Sequence, residues 1–378
     1  MHVLTDDTAI ISVDDHVVEP PSVWVDRLPQ ADIEASPHIE DRPDHTQTWV
    51  WEGREYPIHL MGSPRTRNFR SDGTGEDFYA RHFDDMVPGA YEAAARVEAM
   101  DADGVQAQVL FPTFPRFAGT RFLEGTDKGL ALRCVQAYND WMLEDWCATA
   151  PERFIPMVIT PLWDPALAAA EIERCAAKGA KAISFPENPA PLGLPSFWGE
   201  HWDPVFAAAA DARLVLCMHI GTSGELVQPA PESSEAVGIS LCGVNAMSAC
   251  TDLIYSGLLP RHPGTRIALS EGGSGWVPYI IERMDYTWAR TRLGVDKSVK
   301  PSELFERHFW TCFIDDEAAV RQRHEIGVHK MMFETDYPHN DSNWPDSRKV
   351  LAGMLADVPD DEARRIAELN ARELFDFF

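Results

Sequence analysis

Short apolar runs alternate with helical periods along most of the chain, and each run ends in polar or turn residues. The first, residues 10–21 (IISVDDHVVEPP), has Ile10, Ile11 and Val13 as the apolar weight of a strand covered on both faces, the pattern of a parallel sheet wrapped in helices. Alternation along that strand sends Asp14 and His16 to one face and Asp15 to the other. From residue 90 the alternation is regular. A helix over 90–102 stops at Gly104 before a strand over 105–111, and a longer helix over 127–150 is closed by Pro151 before a strand over 154–160. Trp163-Asp164-Pro165 and Trp202-Asp203-Pro204 repeat one device, Asp as helix N-cap and Pro at the first helical position, and each opens an alanine-rich helix. Further strands are expected over 181–185, 213–219, 266–271, 309–314 and 330–336. Eight strand candidates separated by helical patterns predict an α/β fold, a single (β/α)8 TIM barrel spanning residues 1–378.

Residues 22–88 break this rhythm and read as a long insertion after strand 1, a lid or an oligomer arm. Within it, β-formers at 47–51 and 54–58 flank Glu52-Gly53, a hairpin signal. Its aromatics, Trp49, Trp51, Tyr56, Phe69, Phe78 and Tyr79, are expected to make a small core of their own or to wall a pocket. At the other end, a helix over 361–377 places Ala363, Ile366, Ala367, Asn370 and Leu374 on one face, so Asn370 is expected buried and hydrogen-bonded to backbone.

Composition narrows the partners. Apolar residues at 45% suffice for a large core, and a formal charge of -27 repels nucleic acid and anionic membrane over most of the surface. A small-molecule substrate is the remaining class, handled by a homo-oligomer. Seven scattered cysteines without a C-x-x-C pair read as reduced thiols. The start, MHVLTDDTA, has no basic segment followed by an apolar run, and no window reaches the length of a membrane span, so a cytoplasmic chain is expected.

In a barrel of this kind the chemistry collects where the strands end. Here strand one ends in Asp14 and His16, strand five in His219, strand six in Glu271 and strand eight in Asp336. Any one of these taken alone reads as a core or capping residue; five at one mouth read as a site. Two imidazoles and two carboxylates suit one divalent ion, Zn²⁺ first, with Mn²⁺ or Fe²⁺ also accommodated. Such an ion would activate a water whose proton Asp336 could take, with His339 orienting Asp336 or the water. Arg65, Arg67, Arg70 and Arg116 are candidates for gripping a substrate carboxylate. Phe114, Trp163 and Phe185 follow strand ends and are candidate pocket walls.

Asp14-Asp15-His16, Met100-Asp101-Ala102-Asp103-Gly104-Val105 leading to Leu110-Phe111-Pro112-Thr113, Tyr138-Asn139-Asp140-Trp141, Pro151-Glu152-Arg153-Phe154, His219, Asp336-Tyr337-Pro338-His339 and Asn370-Ala371-Arg372 together resemble the amidohydrolase superfamily. The likeness is to the branch that includes aminocarboxymuconate semialdehyde decarboxylase, the resorcylate and salicylate decarboxylases, and metal-dependent C-C hydrolases. It implies a barrel with one divalent metal on Asp14, His16, His219 and Asp336. The binuclear members' bridging lysine has no counterpart, since strand four ends in Ser184-Phe185-Pro186-Glu187 and Lys178 and Lys181 stand at its beginning. Two positions depart from the branch: Asp14 replaces Glu or His on strand one, and Glu271 stands where its decarboxylases have a catalytic histidine. An unperturbed glutamate is ionised and only accepts a proton. The expected function is therefore a metal-dependent hydrolase acting through water on a C-C or C-N bond of a small organic, carboxylated or aromatic substrate, with Asp336, Glu271 and His219 catalytic. The alternative is a non-oxidative decarboxylase on the same metal.

Overall fold

The computed structural model describes residue 4 and residues 8–60, 65–67, 79–224, 226–292 and 294–378. Eight parallel strands form the barrel: β1 (Ile11–Val17), β2 (Ala107–Pro112), β3 in two pieces (Phe154–Ile155 and Met157–Val158), β4 (Ala182–Ser184), β5 (Val215–His219), β6 (Arg266–Ser270), β7 (Phe309–Phe313) and β8 (Met331–Phe333). Pro156 divides β3, so its first piece pairs with β2 and its second with β4. The ring closes just beyond β8, where Asp336 N donates to Asp14 O at 2.9 Å and His16 N donates to Tyr337 O at 2.7 Å. The fold is the expected (β/α)8 barrel with a long insertion after β1.

The interior holds apolar residues from every strand, among them Ile11, Val13, Val109, Phe111, Cys217, Ala268, Cys312 and Met332, and the last helix plugs it with Ala371, Leu374 and Phe375. The second core lies between strands and helices and takes the opposite parity, such as Ile10, Val17, Ile183 and Leu216. Strict alternation from Ile11 and Val13 would turn Asp15 inward. A register shift between Ser12 and Asp15 reverses the phase, so Asp14 and His16 face the axis while Asp15 faces outward, onto Tyr337 N at 2.9 Å.

Helices α1 (Ala93–Asp103), α2 (Lys128–Trp141), α3 (Pro165–Ala177), α4 (Asp203–Asp211), α5 (Cys242–Tyr255) and α6 (Val277–Arg290) cover the outside. Gly104 ends α1 with a left-handed φ of 72°, and Asp164 caps α3 by accepting from Ala166 N and Leu167 N. The second Trp-Asp-Pro device differs from expectation. Asp203 is itself the first residue of α4 and makes no cap, because Arg261 at 2.8 Å and His262 at 3.0 Å take its carboxylate.

In the insertion the expected hairpin is present, with Glu52 and Gly53 at φ 47° and 70°, and His38–Asp41 adds a third antiparallel strand. Its aromatic face packs on the barrel. Trp49 meets Phe114 at 4.6 Å and Trp24 at 5.4 Å, Trp51 meets Phe122 at 5.3 Å, and the Glu52 carboxylate accepts from Thr126 N and Asp127 N. Phe69, Arg70 and Phe78 lie outside the described residues.

Asn370 is buried as expected, and its amide donates to Val328 O at 2.7 Å and Met331 O at 2.8 Å, fastening the terminal helix under β8. Asn370→Ala leaves those two carbonyls without their donor. The expected loss is about 2–4 kcal/mol of unfolding free energy in a urea titration.

Candidate metal centre and active site

Five side chains meet at the carboxyl mouth because of parity and two left-handed residues. His219 continues the inward row of Val215 and Cys217, while Glu271 and Asp336 lie just past β6 and β8 with φ of 55° and 52°, which turns each carboxylate toward the axis. His16 Nε2 is 2.9 Å from Asp336 Oδ1 and 3.5 Å from Asp14 Oδ1; His219 Nε2 is 3.5 Å from Asp14 Oδ2 and 3.1 Å from Glu271 Oε2. Asp14, His16, His219 and Asp336 are fully buried, and Glu271's side chain is 19% exposed. Both Asp14 oxygens, His16 Nε2, His219 Nε2 and Asp336 Oδ1 face one another without forming hydrogen bonds. Buried polar atoms are seldom left so, and converging ones of this chemistry suit a cation.

Electrostatics agree with that fit. Burial pushes His219 down to about 4 and His16 well below the usual imidazole range, leaving neutral rings with lone pairs. His219 Nδ1 lies 2.6 Å from Ile220 O, so Nδ1 is the donor and Nε2 the free ligand atom. Burial opposes ionisation of Asp336, but His339 and His16 beside it hold it well below the usual carboxylate range. Asp14 is raised well above that range, first by burial and then by the charges of Glu334, Asp336 and Glu271. A divalent ion would relieve that crowding of like charges.

His339 stands beside the cluster, its Nδ1 at 2.9 Å from Asp336 Oδ1 and its ring stacked on His16 at 3.8 Å. His16, Asp336 and His339 form a second set of donors within 4.8 Å of one another, overlapping the set Asp14, His16 and His219. Lys178 pairs with Asp140 and Glu144, away from the mouth.

Other candidates lie elsewhere. Phe185 packs on Trp202 at 5.1 Å and on Phe206, in the outer core, because inward Ala182 sets a parity that turns Ile183 and Phe185 toward the helices. Phe114 is spent on the insertion's tryptophans, and Trp163 lies under the Lys128 ammonium. Arg65 gives its donors to His339 O at 3.1 Å, Trp344 O at 2.6 Å and Ser342 O, holding the loop that carries His339. Arg67 donates to Asp84 O at 2.7 Å. Arg116 is exposed after β2, with a left-handed φ of 59°.

Sequence reasoning overlooked four participants. Phe117 packs at 4.5 Å from His16 and 4.3 Å from His219, and Phe111 at 5.0 Å from His219, an apolar flank to the imidazoles. Glu334, buried and pushed up to about 8 mainly by burial, accepts from Glu271 N at 3.2 Å; its even parity with Met332 and Asp336 was the available signal. Arg96, fully buried, donates to His16 O and stacks over Tyr337 at 4.6 Å.

A profile described as amidohydrolase matches residues 41–377. The chain belongs to the amidohydrolase family. This amidohydrolase is 25% identical over 306 residues, 73% of the chain and 87% of the relative, to the gamma-resorcylate decarboxylase of Rhizobium radiobacter. Its fold is similar to that of an amidohydrolase from Mycobacterium avium subsp. paratuberculosis K-10, with a TM-score of 0.76 at 22% identity over 98% of this chain and 99% of that one. It is also similar to 5-carboxyvanillate decarboxylase from Novosphingobium aromaticivorans DSM 12444, a complex with manganese and 4-hydroxy-3-methoxy-5-nitrobenzoic acid, with a TM-score of 0.68 at 18% identity over 98% and 97%. The chain is thus an amidohydrolase-superfamily enzyme, in the class of hydrolases and carboxy-lyases, with a site for a single divalent metal. Among the described residues no helix is long and apolar enough to cross a membrane.

Elemental analysis of the purified enzyme is expected to find one divalent ion per chain. His219→Ala is expected to weaken metal affinity by more than about tenfold, since even outer partners of ligands cost that much.

Proposed function

We propose that this amidohydrolase is a non-oxidative decarboxylase, a carboxy-lyase acting on a small hydroxylated aromatic acid. The likeness to the gamma-resorcylate and 5-carboxyvanillate decarboxylases carries the reading, and the setting of Glu271 is compatible with it. Burial, then the charges of Asp336, Asp341 and Glu334, raise its carboxyl well above the usual range, so it is suited to hold a proton rather than to take one. This reverses the inference drawn from an unperturbed glutamate, and the decarboxylase relatives support it.

Asp14, His16, His219 and Asp336 would hold the divalent ion; their mixed nitrogen and oxygen donors suit Mn²⁺ as well as Zn²⁺, and the manganese in the 5-carboxyvanillate decarboxylase supports the former. When bound, the ion supplies a Lewis acid for the substrate's carboxylate and neighbouring hydroxyl. Phe111 and Phe117 offer an apolar wall for the ring. Loss of carbon dioxide leaves the bonding electron pair on the ring carbon, which takes a proton. Glu271 donates it, and the exposed fifth of its side chain lets solvent restore it. Asp336, kept ionised by His339 and His16, serves as ligand, and Arg65 fixes the loop that brings His339 to it. Arg116, exposed after β2, is suited to a substrate carboxylate. The cysteines, all free, support a reducing compartment such as the cytoplasm, and exposed Tyr279 and Tyr286 on α6 support a homo-oligomer.

The hydrolase reading keeps one support, the ionised Asp336, which could take a proton from water. Labelled water separates the two. With a hydroxybenzoate substrate in H₂¹⁸O, carbon dioxide is expected without ¹⁸O in the organic product; ¹⁸O in that product would favour hydrolysis. Glu271→Gln is expected to keep its metal and lose about 10²- to 10⁴-fold in kcat.

A further inference from the structure

The chemistry at the donors leaves a second space near the same mouth unused. Past the turn that follows His219 lies a cavity of about 660 Å³, lined by Glu187 and Asn188 after β4, Ser223 after β5, and Asn245, Ser248 and Asp252 of α5. It shares a wall with the donor cluster. Thr222 Oγ1 donates to His219 O at 2.7 Å and also contacts the Glu187 carboxylate, which accepts from Ser223 N at 2.8 Å and Ser223 Oγ at 2.7 Å. On the opposite side, the first turns of α5 abut the segment past β6: a Cβ built on Gly272 would lie 2.4 Å from Ala246 Cβ. The space is therefore bounded by braced backbone on the side nearest the donors.

Its size falls within the roughly 300–1,000 Å³ of pockets that enclose a drug-sized ligand, more than one substituted ring requires. Its polar lining offers carboxylates, amides and hydroxyls, and no Lys, Arg or His stands among the described lining residues. Trp198, Leu226 and Val227 supply an exposed apolar rim, where the Trp198 indole is fixed by its Nε1 donating to Asp252 Oδ1 at 2.6 Å. An anionic group entering here would lose water beside carboxylates and gain no cation. An uncharged amide or polyol would meet donors and acceptors and could lie against the indole.

We infer that this cavity is a separate binding site for an uncharged, hydrogen-bonding ligand of amide or polyol class, and rejects an anionic one. The inference stands apart from the proposed decarboxylase, and the cavity's selectivity is read by itself. The probes are acetanilide and benzenesulfonate, titrated into full-length enzyme labelled with ¹⁵N-tryptophan, the Trp198 indole signal being assigned with Trp198→Phe. Acetanilide is expected to shift that signal saturably, benzenesulfonate to bind at least about tenfold more weakly, and Ser248→Trp, a substitution at an exposed position that fills the space, to abolish the shift. Equal binding of the sulfonate, no shift with acetanilide, or a shift undiminished in Ser248→Trp would each overturn the proposal. Carbon dioxide release from 2-hydroxybenzoate by the wild type is measured alongside: its absence would count against the decarboxylase and leave the indole signal to decide on the cavity.

Discussion

Everything at the mouth depends on the seam where the first strand meets the last. Two backbone hydrogen bonds, Asp336 N to Asp14 O and His16 N to Tyr337 O, close the ring and set ligands from opposite ends of the chain side by side. Side chains reinforce the seam from behind: Asp15 accepts from Tyr337 N and Thr335 Oγ1, and Arg96 donates to His16 O while stacking over Tyr337. Donors held by buried, hydrogen-bonded backbone need little rearrangement to receive an ion, which is the preorganisation a metal site requires.

The consequence is an electrostatic load. Asp14, Glu271, Glu334 and Asp336 crowd into a space where the imidazoles of His16 and His219 are kept neutral by burial. Burial, and after it mutual repulsion, raises Asp14, Glu271 and Glu334, whereas Asp336, backed by His339, is held low. Surroundings alone thereby give groups of one chemical type different proton affinities. Glu271 shows the principle most clearly, since its identity suggests a base and its burial favours the protonated carboxyl.

Much of the scaffold was legible in the sequence. Apolar runs and turn residues located all eight strands, Gly104 and Asp164 marked a helix end and a helix start, and Asn370's place in an apolar stripe foretold its burial. Asp14, His16, His219, Glu271 and Asp336 could be collected because each ends a strand. What escaped depends on contacts between distant residues. The register shift that turns Asp14 inward is a pairing event between β1 and β2. Phe185, expected as a pocket wall, is turned outward by strand parity, and Phe117, beyond β2, flanks the imidazoles instead. Arg65 resembles a substrate-binding arginine until the carbonyls of residues 339, 342 and 344 are seen to consume its donors, and Asp203 resembles a cap until Arg261 and His262 reach it.

The central claim is that Asp14, His16, His219 and Asp336 share one cation. Crystals of the enzyme grown with Mn²⁺ and measured near the manganese absorption edge test it directly. The account predicts a single strong anomalous peak within about 2.0–2.3 Å of an atom from each of the four side chains. A peak elsewhere, or a well-ordered mouth with no peak at saturating Mn²⁺, would contradict it.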